Sequence, residues 1–134
     1  MASQIYINLP IKNLEQSVAF FTHLGFKFNP KFTDEKATCM IINEGSSYVM
    51  LLLENFFKTF TTKPICDAHQ STEVLICVSV ESRQKVDEMV TKALAAGGKT
   101  YNKPQDHGDM YLHGFQDLDG HLWEIMFMDP TAST

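Results

Sequence analysis

Apolar and polar positions alternate over Gln4–Ile11, which predicts a β-strand at the start of the chain. The apolar spacing then becomes helical after Asn13, a good N-cap, and ends at Gly25, a residue that terminates helices readily. The apolar positions of this helix are Leu14, Val18, Phe21 and Leu24. Three further strands are predicted, at Phe26–Phe32, Ala37–Asn43 and Ser47–Glu54. The first half of the chain therefore has the order βαβββ.

The second half repeats this order. A strand is predicted at Glu73–Val80, followed by a helix that begins after Ser82 and ends before Gly97. The last three predicted strands are Lys99–Asn102, Met110–Phe115 and His121–Met128. A shift of about 69 positions places Ile11 on Val80 and Phe20 on Met89, which indicates an internal repeat.

The repeat predicts an α+β fold in which two βαβββ modules form an open, barrel-like cleft. We expect one domain over residues 1–134, with the first module at about 1–60, a connector at about 56–72 and the second module at about 73–128. A half of about 60 residues buries too little apolar surface to be stable alone, so the pair is the expected stable unit. The alternative is a single α+β sheet whose two helices match by chance.

Composition and charge restrict the partners. The 134 residues carry a net charge of −5, with scattered Lys and Arg, which argues against nucleic acid or an anionic membrane as the main partner. No apolar run approaches the roughly 20 residues of a membrane span, and the N-terminus lacks the pattern of a secretion signal. Three cysteines without CxxC spacing favour reduced thiols in the cytoplasm, with Cys39 and Cys77 as small core residues.

Glu124 is the main candidate for function. It lies in an otherwise apolar strand, after the turn formed by Asp117, Leu118, Asp119 and Gly120. An unpaired carboxylate is costly to bury, so a metal ion, a basic partner, a proton or water must compensate it. The functional interpretation is a metal ligand or a general base, and the structural alternative is pairing with a basic group or backbone amides.

A second group of candidates surrounds the seventh strand. His107 lies in the polar loop before this strand, and Tyr111 and His113 share one face of it by the two-residue period. If that face points into the cleft, Tyr111, His113 and Glu124 converge as a polar cluster that could bind metal or relay protons. The alternative is a surface loop and an outward histidine. We expect His23 to be structural, His121 to hydrogen-bond locally in its turn, and His69 to be a mobile or structural residue of the connector.

Two stretches resemble a known family. Leu9–Phe21 with Leu24, Gly25 and Phe26 resembles the opening motif of the glyoxalase/bleomycin-resistance/extradiol-dioxygenase proteins, the vicinal oxygen chelate superfamily. Asp117–Glu124 resembles its closing motif, with Leu118 where proline is usual. Met50–Leu53, Lys63–His69, Lys103–Gly108 and Met128–Pro130 resemble a bacterial subgroup described as "predicted lactoylglutathione lyase".

The resemblance implies paired modules around a divalent metal such as Zn, Ni, Fe or Mn, held by His, Gln or Glu from four strands. Carried over by position, the ligand sites fall on Tyr6, a residue near Leu51, Leu75 and Glu124. Leucine cannot bind a divalent ion and tyrosine is an uncommon ligand for Zn²⁺ or Ni²⁺. A shift by two residues would bring in Asn8, Glu54 or Glu73, but several such shifts would be needed together. These residues therefore argue against a glyoxalase I-type metal site.

Two functions remain open. One is a glyoxalase-like, metal-assisted lyase, isomerase or dioxygenase acting on a small oxygenated molecule, with Glu124 as catalytic residue and metal ligand. The other is a metal-free protein that binds or sequesters a small molecule, as bleomycin-resistance members do. In both, Tyr6, Asn8, His107, Tyr111 and His113 are the candidate binding residues. Exposed sheet edges and the aromatic residues of the connector predict a homodimer.

Overall fold

A computed structural model describes residues 2–131 of the chain. The chain forms two compact units, divided between Cys66 and Asp67. Each unit contains a four-stranded mixed sheet and helices in the predicted βαβββ order, so the predicted repeat is confirmed. Within residues 2–131, none of the helices has the length and apolar character that crossing a membrane would require.

The first unit has the strand order β1-β4-β3-β2. Its elements are β1 (Ile5–Ile11), α1 (Leu14–His23), β2 (Lys27–Asn29), β3 (Ala37–Asn43), β4 (Ser47–Leu53) and α2 (Glu54–Phe57). Strand β1 is parallel to β4, and the other neighbours are antiparallel. The predicted N-cap is confirmed, because the Asn13 side chain accepts a hydrogen bond from the Gln16 amide at 2.9 Å.

The second unit has the matching order β5-β8-β7-β6. Its elements are β5 (Leu75–Ser79), α3 (Arg83–Ala95), β6 (Gln105–Asp106), β7 (Met110–Gln116) and β8 (Leu122–Met128). Ser82 caps α3 by accepting a hydrogen bond from the Lys85 amide at 3.0 Å. Trp123, Ile125 and Phe115 are fully buried, and the rings of Phe115 and Trp123 stack with centroids 6.3 Å apart.

Two predicted strands differ from the structure. Strand β2 ends at Asn29, because Pro30 begins a 3₁₀ turn and the Asn29 side chain caps that turn at the Lys31 amide, 3.0 Å away. Strand β6 lies at Gln105–Asp106 rather than at residues 99–102. Residues 99–102 run beside β7 with a single bridge from Lys99 to Gln116.

The turn between β7 and β8 is built around a buried carboxylate. Asp117 is only 5% exposed, and its Oδ1 accepts hydrogen bonds from the amides of Asp119 and His121, both at 3.0 Å. Its Oδ2 accepts one from the Trp123 indole at 3.0 Å. Gly120 closes the turn with φ of +90°, a conformation that favours glycine. Burial raises the pKa of Asp117.

Candidate functional site

Glu124 lies on β8, between two neighbouring strands. The register places it opposite Cys77 of β5 on one side and opposite Gly114 of β7 on the other. Directly opposite residues of a sheet point to the same face, so these three positions share one face. We call this face the Glu124 face. It consists of residues 75, 77 and 79 of β5, residues 110, 112, 114 and 116 of β7, and residues 122, 124, 126 and 128 of β8.

The Glu124 face is the one that helix α3 does not cover. Tyr111, on the opposite face of β7, donates a hydrogen bond from its hydroxyl to Asp87 Oδ1 of α3 at 2.6 Å. The helix therefore packs on the Tyr111 side of the sheet. On the Glu124 face, Leu75 is 51% exposed, Cys77 is exposed, and Glu124 is half-buried. This face presents a carboxylate within an accessible, mostly apolar surface.

The predicted cluster of Tyr111, His113 and Glu124 does not form within this unit. His113 lies opposite Ile125 in the register, and neighbouring residues of a strand point to opposite faces. His113 instead approaches the Asn102 carbonyl, with its Nε2 at 3.2 Å. The two-residue period correctly placed Tyr111 and His113 on the same face of β7. It could not show that Glu124 of β8 lies on the opposite face of the sheet, because that depends on the pairing register.

His107 lies in an exposed loop beside the start of α3. Arg83 holds that loop by donating to Asp106 Oδ2 at 2.7 Å and to the Gly108 carbonyl at 2.6 Å. The guanidinium also lies 5.2 Å from the centre of the Tyr111 ring. The hydrogen bond from Arg83 lowers the pKa of Asp106. His107 and Tyr111 thus belong to the surroundings of α3 rather than to the Glu124 face.

Tyr101 was not among the predicted site residues, yet it adjoins Glu124. Its hydroxyl donates to the Trp123 carbonyl at 3.1 Å and occupies the space that a side chain at Gly114 would need. Burial and then the charges of Glu124 and Cys77 raise the pKa of Tyr101 to about 12. The hydroxyl therefore stays protonated at neutral pH. The sequence signal that could have indicated this contact is a glycine inside a strand, which often marks the close approach of another group.

Cys77 was predicted to be a small core residue, and this is wrong. Strand β5 buries Ile76 and Val78 on its other face and leaves Cys77 exposed. Partial desolvation, followed by the negative charge of Glu124, raises the pKa of the Cys77 thiol. A thiol that is held protonated is a weak nucleophile and a weak hydrogen-bond donor.

Gln116 and His69 mark one end of the Glu124 face. Gln116 belongs to this face by the two-residue period, and its Nε2 lies 3.4 Å from Nδ1 of His69. Gly120 allows this approach, because a Cβ there would lie 2.7 Å from the His69 amide nitrogen. His69 was expected to be a mobile or structural residue of the connector, and its contacts with Gln116 and Gly120 favour the structural role.

Tyr6 and Asn8 lie on β1 of the first unit. Both are exposed, and they share one face of the strand. The Tyr6 ring stacks on Tyr48 with centroids 4.8 Å apart, and its hydroxyl donates to the Gln4 side chain at 3.3 Å. Asn8 lies opposite Met50 of β4.

The register repeats between the two units and identifies the counterpart of Glu124. The shift of about 69 positions between the halves places Asn8 on Cys77. Because Cys77 lies opposite Glu124 and Asn8 lies opposite Met50, Met50 is the first-unit equivalent of Glu124. The position expected near Leu51 thus corresponds to Met50 in this register, and Leu51 itself is fully buried. A methionine thioether is a soft, neutral donor, unlike the carboxylate or imidazole ligands of Zn²⁺ and Ni²⁺.

The available donors do not fit a divalent metal. Across residues 2–131, there is no group of three or more His, Cys, Asp or Glu side chains arranged to hold an ion. The immediate neighbours of Glu124 on its face are a protonated thiol, a glycine and a tyrosine whose hydroxyl bonds to the backbone. Glu124 is thus a lone carboxylate among groups that bind hard cations poorly.

A family model for the glyoxalase/bleomycin resistance protein/dioxygenase superfamily matches residues 3–125. The chain belongs to this superfamily. The resemblance read from the opening and closing motifs is thereby confirmed at the level of the superfamily, whereas the lactoylglutathione lyase subgroup stays a prediction. A comparison with curated proteins finds no match.

Solved structures share the fold of this chain. A hypothetical protein of S. aureus is similar, with 28% identity, a TM-score of 0.79, and coverage of 95% of this chain and 94% of that one. A glyoxalase/bleomycin resistance protein/dioxygenase family enzyme of Burkholderia phytofirmans has 17% identity and a TM-score of 0.79, with coverage of 95% and 99%. A bleomycin resistance determinant encoded on transposon Tn5 has 16% identity and a TM-score of 0.63, with coverage of 96% and 99%. At these identities the last two show a shared fold alone.

Proposed function

We propose that this protein binds a small, partly apolar organic molecule on the Glu124 face without the help of a metal ion. The observation that carries the proposal is the setting of Glu124, a half-buried carboxylate among accessible apolar side chains such as Leu75. A carboxylate that loses part of its hydration needs a compensating partner. Among residues 2–131, no ion pair or hydrogen bond supplies one. A bound molecule with a hydrogen-bond donor could replace the water that otherwise solvates this carboxylate.

The donor set favours binding over metal-assisted catalysis. The resemblance together with the pairing register assigns the superfamily's ligand positions to Tyr6, Met50, Leu75 and Glu124, and of these Glu124 alone is an ordinary ligand for a hard divalent ion. A lyase, isomerase or dioxygenase that polarises its substrate through such an ion would need further carboxylate or imidazole ligands. The bleomycin resistance determinant of Tn5, a structural neighbour, is named for a resistance function that is compatible with this proposal.

The test is amide chemical-shift mapping on the isotope-labelled full chain, with a set of small organic fragments and a metal chelator present. We expect the fragments that bind to shift the amides of Cys77, Gly114 and Glu124. Glu124→Gln should change their affinities, and Tyr111→Phe, a matched change on the opposite face of the sheet, should not. Binding that requires added Zn²⁺, Ni²⁺, Fe²⁺ or Mn²⁺ would overturn the proposal.

We further propose a cytoplasmic homodimer. Strand β1 is an edge of its sheet, and its first two residues, Ile5 and Tyr6, are 54% and 45% exposed. Exposed apolar edge strands favour pairing with another chain. Light scattering on the purified chain should give about twice the monomer mass, and replacement of Ile5 by Lys should reduce it. A monomer at all concentrations would contradict this.

A further inference from the structure

The strand positions of the Glu124 face carry a single charged side chain. Its strand positions, on β5, β7 and β8, include neither lysine nor arginine, and Glu124 is their only carboxylate. Lys99 bridges to Gln116 and therefore lies on the same side of the sheet, beside the end of β7, but it makes no ion pair with Glu124. A carboxylate on a partly desolvated surface repels anions and attracts cations. An anionic ligand would meet no charge partner within these strands.

Tyr101 adds a second acceptor beside Glu124. Its hydroxyl proton is committed to the Trp123 carbonyl, so its oxygen is left with lone pairs that can accept from a ligand. The hydroxyl lies over Gly114, and Gly114 is directly opposite Glu124. The Cβ positions of directly opposite residues in an antiparallel pair are about 5 Å apart. This spacing places the Tyr101 hydroxyl oxygen and the Glu124 carboxylate within reach of one donor group.

The rest of the face is apolar. Leu75 is largely exposed, and Leu122 and Met126, which flank Glu124 on β8, are partly exposed. Methionine and leucine side chains pack against aliphatic or aromatic groups of varied shape. The face thus combines a pair of acceptors, one of them charged, with an apolar surface around them.

We infer that the ligand is a small amphiphilic amine, whose primary ammonium group donates hydrogen bonds to the Glu124 carboxylate and the Tyr101 oxygen while its apolar part covers Leu75, Leu122 and Met126. An ammonium has three N–H donors and no acceptor, so it can satisfy both oxygens at once. Hydrogen bonds between charged partners are stronger than neutral ones. The inference rests on the proposed function, because it names the class of molecule for the same face.

The test compares four probes that share one tail: phenylbutylamine, phenylbutyltrimethylammonium, phenylbutanol and phenylbutyrate. Affinities are measured on the full chain by the amide shifts of Cys77, Gly114 and Glu124. We expect the amine to bind at least about 10-fold more tightly than the acid or the alcohol. The trimethylammonium probe, which has the charge but no N–H, should fall between the amine and the alcohol.

The variants separate charge from hydrogen bonding. Glu124→Gln should weaken binding of the amine by about 10-fold and leave the alcohol nearly unchanged. Tyr101→Phe should weaken the amine but not the trimethylammonium probe, and Tyr111→Phe should affect neither. Because the glutamine is nearly isosteric, unfolding is not expected, and the thermal midpoint of each variant checks this.

The outcomes distinguish this inference from the proposed function. If the acid or the alcohol binds as tightly as the amine while the same amides shift, the inference is overturned and the proposed function stands. If the amine binds equally to wild type and Glu124→Gln, the inference is likewise overturned. If none of the probes shifts these amides at millimolar concentration, both are overturned.

Discussion

The Tyr101 hydroxyl fills the space that a side chain would occupy at Gly114. An added Cβ would overlap this hydroxyl and would also lie 2.6 Å from the Trp123 carbonyl oxygen, which accepts the Tyr101 hydrogen bond. Strand β7 can therefore pass beneath residue 101 only with glycine at position 114. This relationship places a tyrosine oxygen next to Glu124, and several predictions depend on it.

Gly114→Ala should destabilise the protein by about 2 kcal/mol, because inserting a methyl group into a filled site forces neighbouring atoms apart. Urea unfolding measures the change. In the background Tyr101→Ala, the same substitution should cost less, because one of the two obstructing groups is gone and the residues are coupled. Equal costs in both backgrounds would show that Tyr101 does not lie over Gly114 in solution.

Asp117→Asn should destabilise the protein by about 1–3 kcal/mol, because the amide cannot keep all three hydrogen bonds of the buried carboxylate. If the amide nitrogen takes the Oδ2 position, the Trp123 indole N–H loses its acceptor. Asp109→Asn is the matched control, since Asp109 is exposed in the loop before β7. Denaturant unfolding compares the two variants, and a similar loss in both would contradict the role of Asp117.

Alkaline stability should depend on Tyr101. Its pKa in the folded protein is raised to about 12 by burial and by the charges of Glu124 and Cys77, whereas an unfolded tyrosine has a pKa of about 10. The folded state therefore holds the phenolic proton more strongly. The free energy of unfolding should fall as pH rises from about 10 towards 12, because the unfolded chain releases that proton first.

Two phenylalanine variants separate the contributions of the two tyrosines to this loss of stability at alkaline pH. The pKa of Tyr111 is also raised to about 12, because its hydroxyl donates a hydrogen bond to Asp87. Tyr101→Phe and Tyr111→Phe should therefore each reduce the slope with which the free energy of unfolding falls between about pH 10 and pH 12. Glu124→Gln should reduce the part due to Tyr101 and leave the part due to Tyr111 unchanged, since the charge of Glu124 raises the pKa of Tyr101 and of the Cys77 thiol but not that of Tyr111. Unfolding by urea over a series of pH values measures the slopes. Identical slopes in wild type and Tyr101→Phe would refute the assignment.

The repeated βαβββ order was predictable because local signals determine it. Asn13 and Ser82 cap helices at equivalent places in the two halves, and alternating apolar residues define the long strands. The position of β6 was not predictable, because the Asn102 side chain, rather than a strand partner, accepts from the Gly114 amide at 3.2 Å. Nothing in the local pattern of residues 99–102 reveals that a side chain takes the place of a strand partner.

The candidate site was predictable only in part. Glu124 was found because a carboxylate in an apolar strand stands out. Cys77 was misplaced because an apolar run does not reveal which of its two faces is covered. Tyr101 contacts Trp123 across 22 residues of sequence, a separation that no periodicity reports. Pairing register, rather than composition, separated His113 from Glu124.

The most direct test of the central claim is the metal content of untagged protein. The full chain is equilibrated with Ni²⁺, Zn²⁺, Fe²⁺ and Mn²⁺, dialysed, and analysed by elemental mass spectrometry beside Glu124→Gln. We expect metal well below one ion per chain and no difference between the two proteins, because Glu124 lacks companion ligands. About one ion per chain in the wild type, lost in Glu124→Gln, would contradict metal-independent binding and favour a metal-assisted enzyme.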